Sequence, residues 1–476
     1  MESPDVPILA NTFVSTPEPT PPIETAHRRI ATPLPTPGSR DRLAKASQLF
    51  PLVNCYQPPI IWDRAEGFQV SDDAGNCWID FSSTAVMANT GHGHPAIREA
   101  LRSHLDCGLL AQFSFASDIR IELAERLLAL APTACNKVYF WTVGSEAIEA
   151  ALRLSREWGM RRDRGKYHVL TFEGDYHGCT LGAHQLSGGS AQKPWLRHPD
   201  SAIHHLPFPR LTSETRSFTP ADWENLFDQH VANLNQTGVE SFRVAAVFVE
   251  TMQGWGALPL PVAYVQRLRE WADENDVLLV FDEIQTGFGR TGRLFAHEHY
   301  DVRADLICVG KGVTSTLPLA AVLGPSEVLD VLPPAEITTT HAAHPLSCAA
   351  ALANLKILED ENLVEQAARK GAVARSELES LQQRHPKVVS EISGKGLVYA
   401  IHVQDPQTGR PSRELARDWT WAGVKHGVML FQVNRPTIKI CPPLVVPDEA
   451  LVEGIRALGD ALESIVPSSQ AAVVGN

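Results

Sequence analysis

The sequence lacks the features of a membrane-spanning, disulfide-rich or nucleic-acid-binding protein. Its apolar runs, such as Val244–Val249 and Val277–Phe281, are short, whereas a membrane-spanning helix needs about 20 apolar residues. The closest two of the eight cysteines lie 22 positions apart, so no CxxC pair exists, and we expect a reduced, cytoplasmic chain. The net charge is −13, and because nucleic acid is bound by basic surfaces we expect no such partner.

The N-terminal segment differs in composition from the rest of the chain. Nine of the first 40 residues are prolines, and the segment lacks the charged start and apolar core of a secretory signal. Such a composition is typical of chains without regular structure. We therefore expect an arm over residues 1–45 that is disordered or lies along the protein surface, with an arm that wraps a partner subunit as the alternative. At the other end, we expect residues 467–476 to form a frayed tail.

Between residues 96 and 335, apolar segments alternate with amphipathic ones. The segments of strand type are Lys137–Trp141, Tyr167–Phe172, Val244–Glu250, Val277–Asp282 and Leu306–Val309, and those of helix type include Ser145–Gly159 and Ala263–Asn275. This alternation predicts βαβ units, and hence an α/β fold in which helices flank a mostly parallel central sheet. In such sheets ligands bind at the carboxyl ends of the strands, so we searched for chemistry there.

Beyond about residue 345 the pattern changes. Leu346–Leu381 predicts one long helix, and short strands at Leu397–Val403 and Thr437–Ile440 precede a closing helix, Pro447–Ile465. We therefore expect a large domain over residues 96–335 and a smaller α+β domain over residues 336–466. Residues 46–95 are expected to join the smaller domain.

Two short motifs follow strands of the predicted sheet. Gly144 and Ser145 open a helix directly after a strand, where free amide groups can bind an anion, although Ser145 could equally be a simple helix cap. Tyr176, His177 and Gly178 follow the next strand. An aromatic residue at that position could stack on a flat ring, or the motif could be an ordinary loop.

Two charged residues follow later strands. Asp282 ends a buried apolar strand and must be paired there, with a protonated ring nitrogen, an arginine or a metal. Lys311, between Gly310 and Gly312, could be a partly desolvated amine that forms a Schiff base, or a solvated turn residue. Together with the anion site and the aromatic residue, these groups are the parts that hold pyridoxal phosphate.

The same residues lie within motifs that resemble a known family. The run from Phe281 to Gly292 (FDEIQTGFGRTG) resembles the signature of class III (ω-type) aminotransferases, which are fold-type I pyridoxal-phosphate enzymes, and Lys311 follows Asp282 at that family's spacing of 29 residues. Asn89–Pro95 and Gly394–Leu397 resemble its N- and C-terminal motifs. The resemblance covers about residues 50–465 and implies a large cofactor-binding domain with a smaller α+β domain.

Carried over to this sequence, the resemblance implies roles around the cofactor ring. Lys311 would form the Schiff base, or internal aldimine, and Asp282 would pair with the ring nitrogen. Tyr176 would stack on one face of the ring and Ile284 on the other, while Gln285 would contact the 3-oxygen.

The resemblance also implies which residues hold the phosphate and support the site. Gly144 and Ser145 would hold the phosphate, and Glu250 matches a carboxylate behind the cofactor's direct partners. His177 is expected beside the cofactor with Tyr176. Thr340 aligns with a threonine that reaches the phosphate of the neighbouring subunit, which implies a homodimer.

Three departures from the family concern the substrate. Many members carry an arginine before the Pro-Pro-Leu motif, where this chain has Lys439, and lysine lacks the planar fork that binds a carboxylate with two hydrogen bonds. The glutamate that partners this arginine is also missing, since Trp255 follows Gln-Gly. Ala85 stands where some relatives have tyrosine. We expect a pocket not built around glutamate, unless Lys439 or Arg435 binds the acceptor carboxylate instead.

The expected reaction is transfer of an amino group between a primary amine or ω-amino compound and a keto acid or aldehyde. Another reaction on the same cofactor is the alternative: an amino-alcohol phosphate phospholyase, a decarboxylase or a racemase.

Two further classes can be set aside. Gly287–Gly292 fits GxGxxG, but it does not open a helix after a strand, and no acidic residue ends a strand about 20 residues later, as nicotinamide binding requires. The paired histidines at 92–94, 204–205 and 297–299 lack a second set of ligands at the spacing of a closed site. We expect no metal.

Overall fold

The computed structural model describes residue 13 and residues 16–51, 56–188, 193–212 and 214–466. They form two compact units. The large unit comprises Pro95–Gly254 and Leu258–Glu365. The small unit comprises the described residues up to His94, the short segment Trp255–Ala257, and the described residues from Gln366 onward.

The N-terminal part of the small unit contains a mostly antiparallel sheet. Its elements are β1 (Ile23–Glu24), β2 (Arg29–Ile30), α1 (Arg40–Leu49), β3 (Arg64–Glu66), β4 (Gln69–Ser71), β5 (Cys77–Asp80) and the single turn α2 (Ser83–Val86). The strands pair in the order β1-β2-β5-β4-β3.

Residues 16–45 form β1, β2 and the first part of α1 and pack on the rest of the small unit, so the disordered form of the expected arm is wrong for this stretch. Ile30 and Leu34 are completely buried, and they share a hydrophobic cluster with Trp78 and Trp421. Burying this apolar surface offsets the cost of ordering a proline-rich chain. Residues 1–12, 14, 15 and the expected tail, 467–476, lie outside the described residues.

The turn α2 has left-handed backbone geometry. The φ angles of Ser83, Thr84, Ala85 and Val86 are +43°, +52°, +64° and +66°, in a region that residues with a Cβ seldom adopt. The amide of Thr84 donates to Ser82 Oγ, 3.1 Å away, and this bond helps to hold the turn.

The large unit alternates strands and helices. Its elements are α3 (Pro95–Asp106), α4 (Asp118–Leu130), β6 (Lys137–Trp141), α5 (Gly144–Arg162), β7 (His168–Phe172), α6 (Leu181–Leu186), β8 (Ile203–Leu206), α7 (Pro220–Gln236), β9 (Val244–Glu250), β10 (Met252–Gln253), β11 (Leu258–Pro259), α8 (Val262–Glu274), β12 (Leu278–Asp282), β13 (Leu306–Val309), β14 (Ala320–Gly324), α9 (Ser326–Leu329) and α10 (Pro345–Asp360).

The central sheet of this unit has seven strands in the order β6-β14-β13-β12-β9-β7-β8. Strand β14 runs antiparallel to both of its neighbours, and the other pairs are parallel. The prediction of an α/β fold with a mostly parallel sheet is therefore confirmed. Every residue of β9, β12 and β13 is buried, as expected for strands covered on both faces.

The C-terminal part of the chain completes the small unit. Its elements are α11 (Leu363–Arg384), β15 (Val389–Lys395), β16 (Val398–Val403), α12 (Arg413–Lys425), β17 (Val428–Met429), β18 (Thr437–Ile440) and α13 (Asp448–Ile465). Strands β15, β16 and β18 form an antiparallel sheet, and β17 adds to β5 in parallel. No helix of the described residues is long and apolar enough to cross a membrane.

Two sequence expectations about this region need correction. The helix expected over residues 346–381 is two helices, α10 and α11, which are separated at Glu361 and Asn362, where Asn362 has a φ of +50°. The large unit ends at Glu365 rather than at residue 335, because α10 packs against α3 and α4 of that unit.

Candidate active site

Three adjacent strands of the large unit place polar residues at the same end of the sheet, where the strands finish. Strand β12 lies between β9 and β13, parallel to both, and Asp282 stands opposite Glu250 on one side and Cys308 on the other. Three residues beyond Cys308, Lys311 follows the strand, with a φ of +43°. The parallel register thus brings Glu250, Asp282 and Lys311 to the same end of the sheet.

Ile284 connects this edge to the start of helix α5. A Cβ added to Gly144 would lie 2.9 Å from Ile284 Cδ1, and one added to Gly310 would lie 3.3 Å from Ile284 Cγ2. The helix start, the residue before Lys311 and the residue two after Asp282 therefore meet around a single side chain.

The start of α5 has the properties of an anion site. Gly144 and Ser145 are the first two residues of this 19-residue helix, where amide groups and the helix dipole favour negative charge. Gly178 approaches closely: its φ is +134°, and an added Cβ would lie 2.2 Å from Ser145 Oγ. The amide of Cys179 donates to Ser145 Oγ at 3.3 Å. This close approach holds the loop that carries Tyr176 against the helix start.

Asp282 is held by two groups of its own unit. His177 Nδ1 lies 2.9 Å from Asp282 Oδ2, and the amide of Ile284 donates to Asp282 Oδ1 at 3.0 Å. The His177 side chain is fully buried and that of Asp282 is 6% exposed. A metal was one of the partners of Asp282 that the sequence left open, and the described residues contain no cluster of ligands able to hold one. The partner seen is a histidine, which sequence reasoning did not name.

Two more carboxyl groups are buried behind this pair. Glu250 Oε2 accepts the amide hydrogen of Tyr176 at 2.7 Å, and Glu250 Oε1 accepts that of Gly254 at 3.0 Å. Burial, followed by the neighbouring Asp175 and Asp282, raises the pKa of Glu250 well above its ordinary value. Burial also raises the pKa of Asp175 to about 6, against the opposing effect of His177.

Tyr176 and Gln285 lie at the accessible side of this group. The Tyr176 side chain is exposed, and its hydroxyl is 3.1 Å from Cys179 Sγ. Gln285 Nε2 would lie 2.9 Å from a Cβ added to Gly254, so Gln285 packs on the segment that Glu250 holds. Nine predicted cofactor residues thus form one connected group: Gly144, Ser145, Tyr176, His177, Glu250, Asp282, Ile284, Gln285 and Lys311.

Thr340 does not belong to this group by any contact described. It is exposed, within a segment in which Thr339 Oγ1 lies 3.3 Å from Thr142 Oγ1.

The three candidate substrate residues belong to the small unit. Ala85 is exposed on the left-handed turn α2, and Lys439 is buried within β18. Trp255 is half-buried; its carbonyl accepts from Thr437 Oγ1 at 3.1 Å, and the Arg435 guanidinium lies 5.7 Å from the centre of its ring.

Comparison with known proteins identifies the family to which this chain belongs. The family model for class III aminotransferases matches residues 53–462. The chain belongs to the class III aminotransferase family. It is 31% identical over 443 residues to an isoleucine 2-epimerase of Lentilactobacillus buchneri, which covers 89% of this chain and 96% of the relative. It is also 31% identical over 409 residues to an acetylornithine aminotransferase of Caldanaerobacter subterraneus, which covers 86% of this chain and 95% of that one.

Solved structures agree with this assignment. The structure of an amine transaminase from an uncultivated Pseudomonas species, with pyridoxal phosphate bound, superimposes with a TM-score of 0.79 at 27% identity, covering 85% of this chain and 94% of the other. The protein is therefore a transaminase of fold type I that depends on pyridoxal phosphate, as the sequence predicted.

The chemistry of the site fits this cofactor. A helix start suits a phosphate, a buried carboxylate suits a protonated ring nitrogen, and a lysine suits an aldehyde. The glycines at positions 144 and 178 leave room that a Cβ would fill.

Sequence reasoning missed three residues behind the predicted ones. Asp175 and Gln253 join through a 3.0 Å bond from Gln253 Nε2 to Asp175 Oδ1, and Thr171 Oγ1 lies 3.2 Å from His177 Nε2. An aspartate in a loop of the form Gly-Asp-Tyr-His is usually solvated. The position of Asp175, two residues before His177, was the only feature of the sequence that could have pointed to it.

Proposed function

We propose that this transaminase moves an amino group between a primary amine or ω-amino compound and a keto acid or aldehyde, with Lys311 as the residue that binds the cofactor and moves the proton. The observation that carries the proposal is the meeting of the helix start, Asp282 and the segment before Lys311 around Ile284. When bound, pyridoxal phosphate supplies an electron sink for cleavage at the substrate's α-carbon.

Each residue then has a defined task. The amide groups of Gly144 and Ser145 bind the phosphate, and Asp282, oriented by His177, holds a proton on the ring nitrogen. The amine of Lys311 would remove the proton from the substrate α-carbon and return it to the cofactor carbon on the other side of the nitrogen, as general base and then general acid. Tyr176 and Ile284 cover the two faces of the ring and limit the access of water.

We further propose a homodimer in the cytoplasm. The exposed position of Thr340 is consistent with a hydroxyl that contacts the phosphate in a second copy. None of the seven cysteines among the described residues forms a disulfide, which is typical of a reducing compartment.

For the substrate, we propose that Arg435 takes over the carboxylate-binding role of the family arginine that Lys439 replaces. Burial lowers the pKa of Arg435, as does the nearby Arg413, so an incoming anion would be favourable there. Guanidinium, unlike ammonium, can offer a carboxylate two parallel hydrogen bonds.

The absorbance spectrum after a single half-reaction tests the chemistry. The purified holoenzyme is mixed with each amine of a panel, without acceptor, and transamination is expected to convert the cofactor to its pyridoxamine form. A phospholyase, decarboxylase or racemase would leave the original spectrum after turnover. The relationship to an isoleucine 2-epimerase makes isoleucine a necessary member of the panel, with the appearance of the diastereomer inverted at the α-carbon, separated by chromatography, as the second readout.

The role of Lys311 is tested by Lys311→Ala, with Lys356→Ala as the control, since Lys356 is exposed and forms an ion pair with Asp360 within α10. Borohydride should attach cofactor to wild type and to the control but not to Lys311→Ala, whose turnover should fall by at least about 100-fold. Attachment to Lys311→Ala at the wild-type level would contradict the assignment.

A further inference from the structure

Asp175 and Glu250 are joined by a reciprocal pair of hydrogen bonds. Asp175 Oδ2 accepts the amide hydrogen of Glu250 at 3.3 Å, and Glu250 Oε2 accepts the amide hydrogen of Tyr176, the residue after Asp175, at 2.7 Å. Gln253 Nε2 also donates to Asp175 Oδ1 and to the carbonyl of Glu173, each at 3.0 Å. These bonds attach the loop after β7 to the end of β9.

The same carboxylate faces the imidazole that holds Asp282. His177 Nε2 lies 3.7 Å from Asp175 Oδ2, and His177 Nδ1 lies 2.9 Å from Asp282 Oδ2. The imidazole therefore stands between two aspartates. None of the three side chains is more than 6% exposed, so the electrostatic and hydrogen-bonding interactions among them are little weakened by water.

We propose that Asp175 is a positioning residue: its ionised carboxylate holds the Tyr176–His177 segment and, through His177, orients Asp282 toward the ring nitrogen of the cofactor. This inference rests on the proposed function of the site, because it concerns how that site is held in its binding geometry.

The surroundings of Asp175 make this role sensitive to pH. The titratable groups that face it are His177 on its own loop, Glu250 on β9 and Asp282 on β12, and Lys311 acts in turn on Glu250. With a pKa raised by burial to about 6, Asp175 gains a proton just below neutral pH. The protonated group loses its attraction for the imidazole and is a weaker acceptor for the amide of Glu250.

The test uses the full-length protein and pyridoxamine 5′-phosphate, which has no aldehyde and therefore binds without condensing with a lysine. Its Kd is measured between pH 5 and pH 8 for wild type and for Asp175→Asn, which keeps the shape of the side chain but not its charge. We expect the variant to bind about tenfold more weakly at pH 8, the scale of one lost charge-assisted hydrogen bond. The ratio of the two Kd values should approach one at pH 5, and using the ratio cancels the titration of the phosphate itself.

A double-mutant cycle separates action through His177 from a general structural effect. If Asp175 acts through the imidazole, adding Asp175→Asn to His177→Gln should change the Kd by less than twofold. An equal loss in both backgrounds would overturn the proposal, as would a ratio that stays constant from pH 5 to pH 8. Should Asp175→Asn fail to fold, the ratio of the His177→Gln Kd to the wild-type Kd must fall toward one between pH 8 and pH 5, and a ratio that stays constant would overturn the proposal.

These outcomes are distinct from failure of the proposed function. Wild type that fails to bind the probe at any pH would overturn both inferences. Wild type that binds the probe with a constant ratio to the variant would leave the transaminase site intact and remove only the role of Asp175.

Discussion

Ile284 occupies the space that a side chain at position 144 would need, since an added Cβ there would lie 2.9 Å from Ile284 Cδ1 and 3.0 Å from Cγ2. Gly144→Ala should therefore displace Ile284 and the first turn of α5 together. We expect a loss of about 1–3 kcal/mol in the free energy of unfolding, as for other overpacked sites, and weaker cofactor binding.

Gly38→Ala is the matched control, because an added Cβ there meets nothing within 4 Å and Gly38 does not have a positive φ. In an Ile284→Ala background the cost of Gly144→Ala, measured by thermal unfolding, should shrink. An unchanged cost would show that the two residues do not compete for the same space.

Asp282 should be required for turnover more than for folding. Asp282→Asn keeps the shape of the side chain but cannot stabilise a positive ring nitrogen, so kcat should fall by about 100-fold or more, the usual cost of a lost electrostatic partner. Asp305→Asn is the control: Asp305 forms a 2.6 Å ion pair with Arg269 just before β13, at the opposite end of that strand from Lys311. Steady-state kinetics should show a normal kcat for the folded control.

Mixing two defective variants tests whether Thr340 completes the site of a second copy. Lys311→Ala lacks the Schiff-base amine, and Thr340→Ala should bind the cofactor weakly. A mixed dimer of the two would contain one site with both residues intact. At limiting pyridoxal phosphate, unfolding and refolding the mixture should give more activity than the sum of the separately refolded variants. Activity equal to that sum would place Thr340 outside the neighbouring site.

Arg435 should determine the affinity for keto acids. Arg435→Gln should raise KM for keto acids by about tenfold or more, the scale of a lost hydrogen bond between charged groups, and leave KM for aldehydes nearly unchanged. Arg410→Gln is the control in the same unit, since Arg410 is exposed. If Lys439→Met shows this pattern and Arg435→Gln does not, the carboxylate is bound by the lysine.

The buried Asp175 should make the stability of the cofactor-free protein depend on pH. Its pKa is about 6 in the folded state against an ordinary 3.8, so between these values the folded state retains a proton that the unfolded chain has lost. Wild type therefore loses stability as the pH rises from about 4 to about 6, and this group adds no further change above that.

Asp175→Asn removes this dependence. As the pH rises from about 4 to about 6, the free energy of unfolding of the variant should increase relative to that of wild type by on the order of 3 kcal/mol. Denaturant unfolding at pH 4, 5, 6 and 7.5 measures this difference. A difference between the two proteins that is the same at every pH would contradict the raised pKa.

The strands that build the site could be predicted closely from the sequence, as could β16, β18 and α13 of the small unit, whereas the order of its N-terminal residues could not. Strands β9 and β13 have the predicted bounds because continuous apolar runs that end in polar residues are distinctive. The order of residues 16–45 was missed because their burial depends on Trp421, which lies almost 400 positions later in the chain. Strand β14 was missed because its short run, Ala320–Gly324, contains only one β-branched residue.

In the cofactor site, too, some residues could be predicted from the sequence and others could not. Residues that follow strands, such as Asp282 and Lys311, could be named from their positions. Asp175 could not, since its burial arises from Glu250 and Gln253 on a different strand and the loop that follows it.

The pairing of β5 with β17 has a consequence for how the chain is made. Ile79 of β5 stands opposite Val428 of β17, about 350 residues later, so at roughly 5–20 residues per second the ribosome needs roughly 20 to 70 s to reach β17 after β5 has been made. Throughout that interval the nascent N-terminal segment, with its apolar Trp78 and Ile79, has no native neighbour on that side. This sheet of the small unit can therefore be completed only after all of the large unit, Pro95–Gly254 and Leu258–Glu365, has been synthesised.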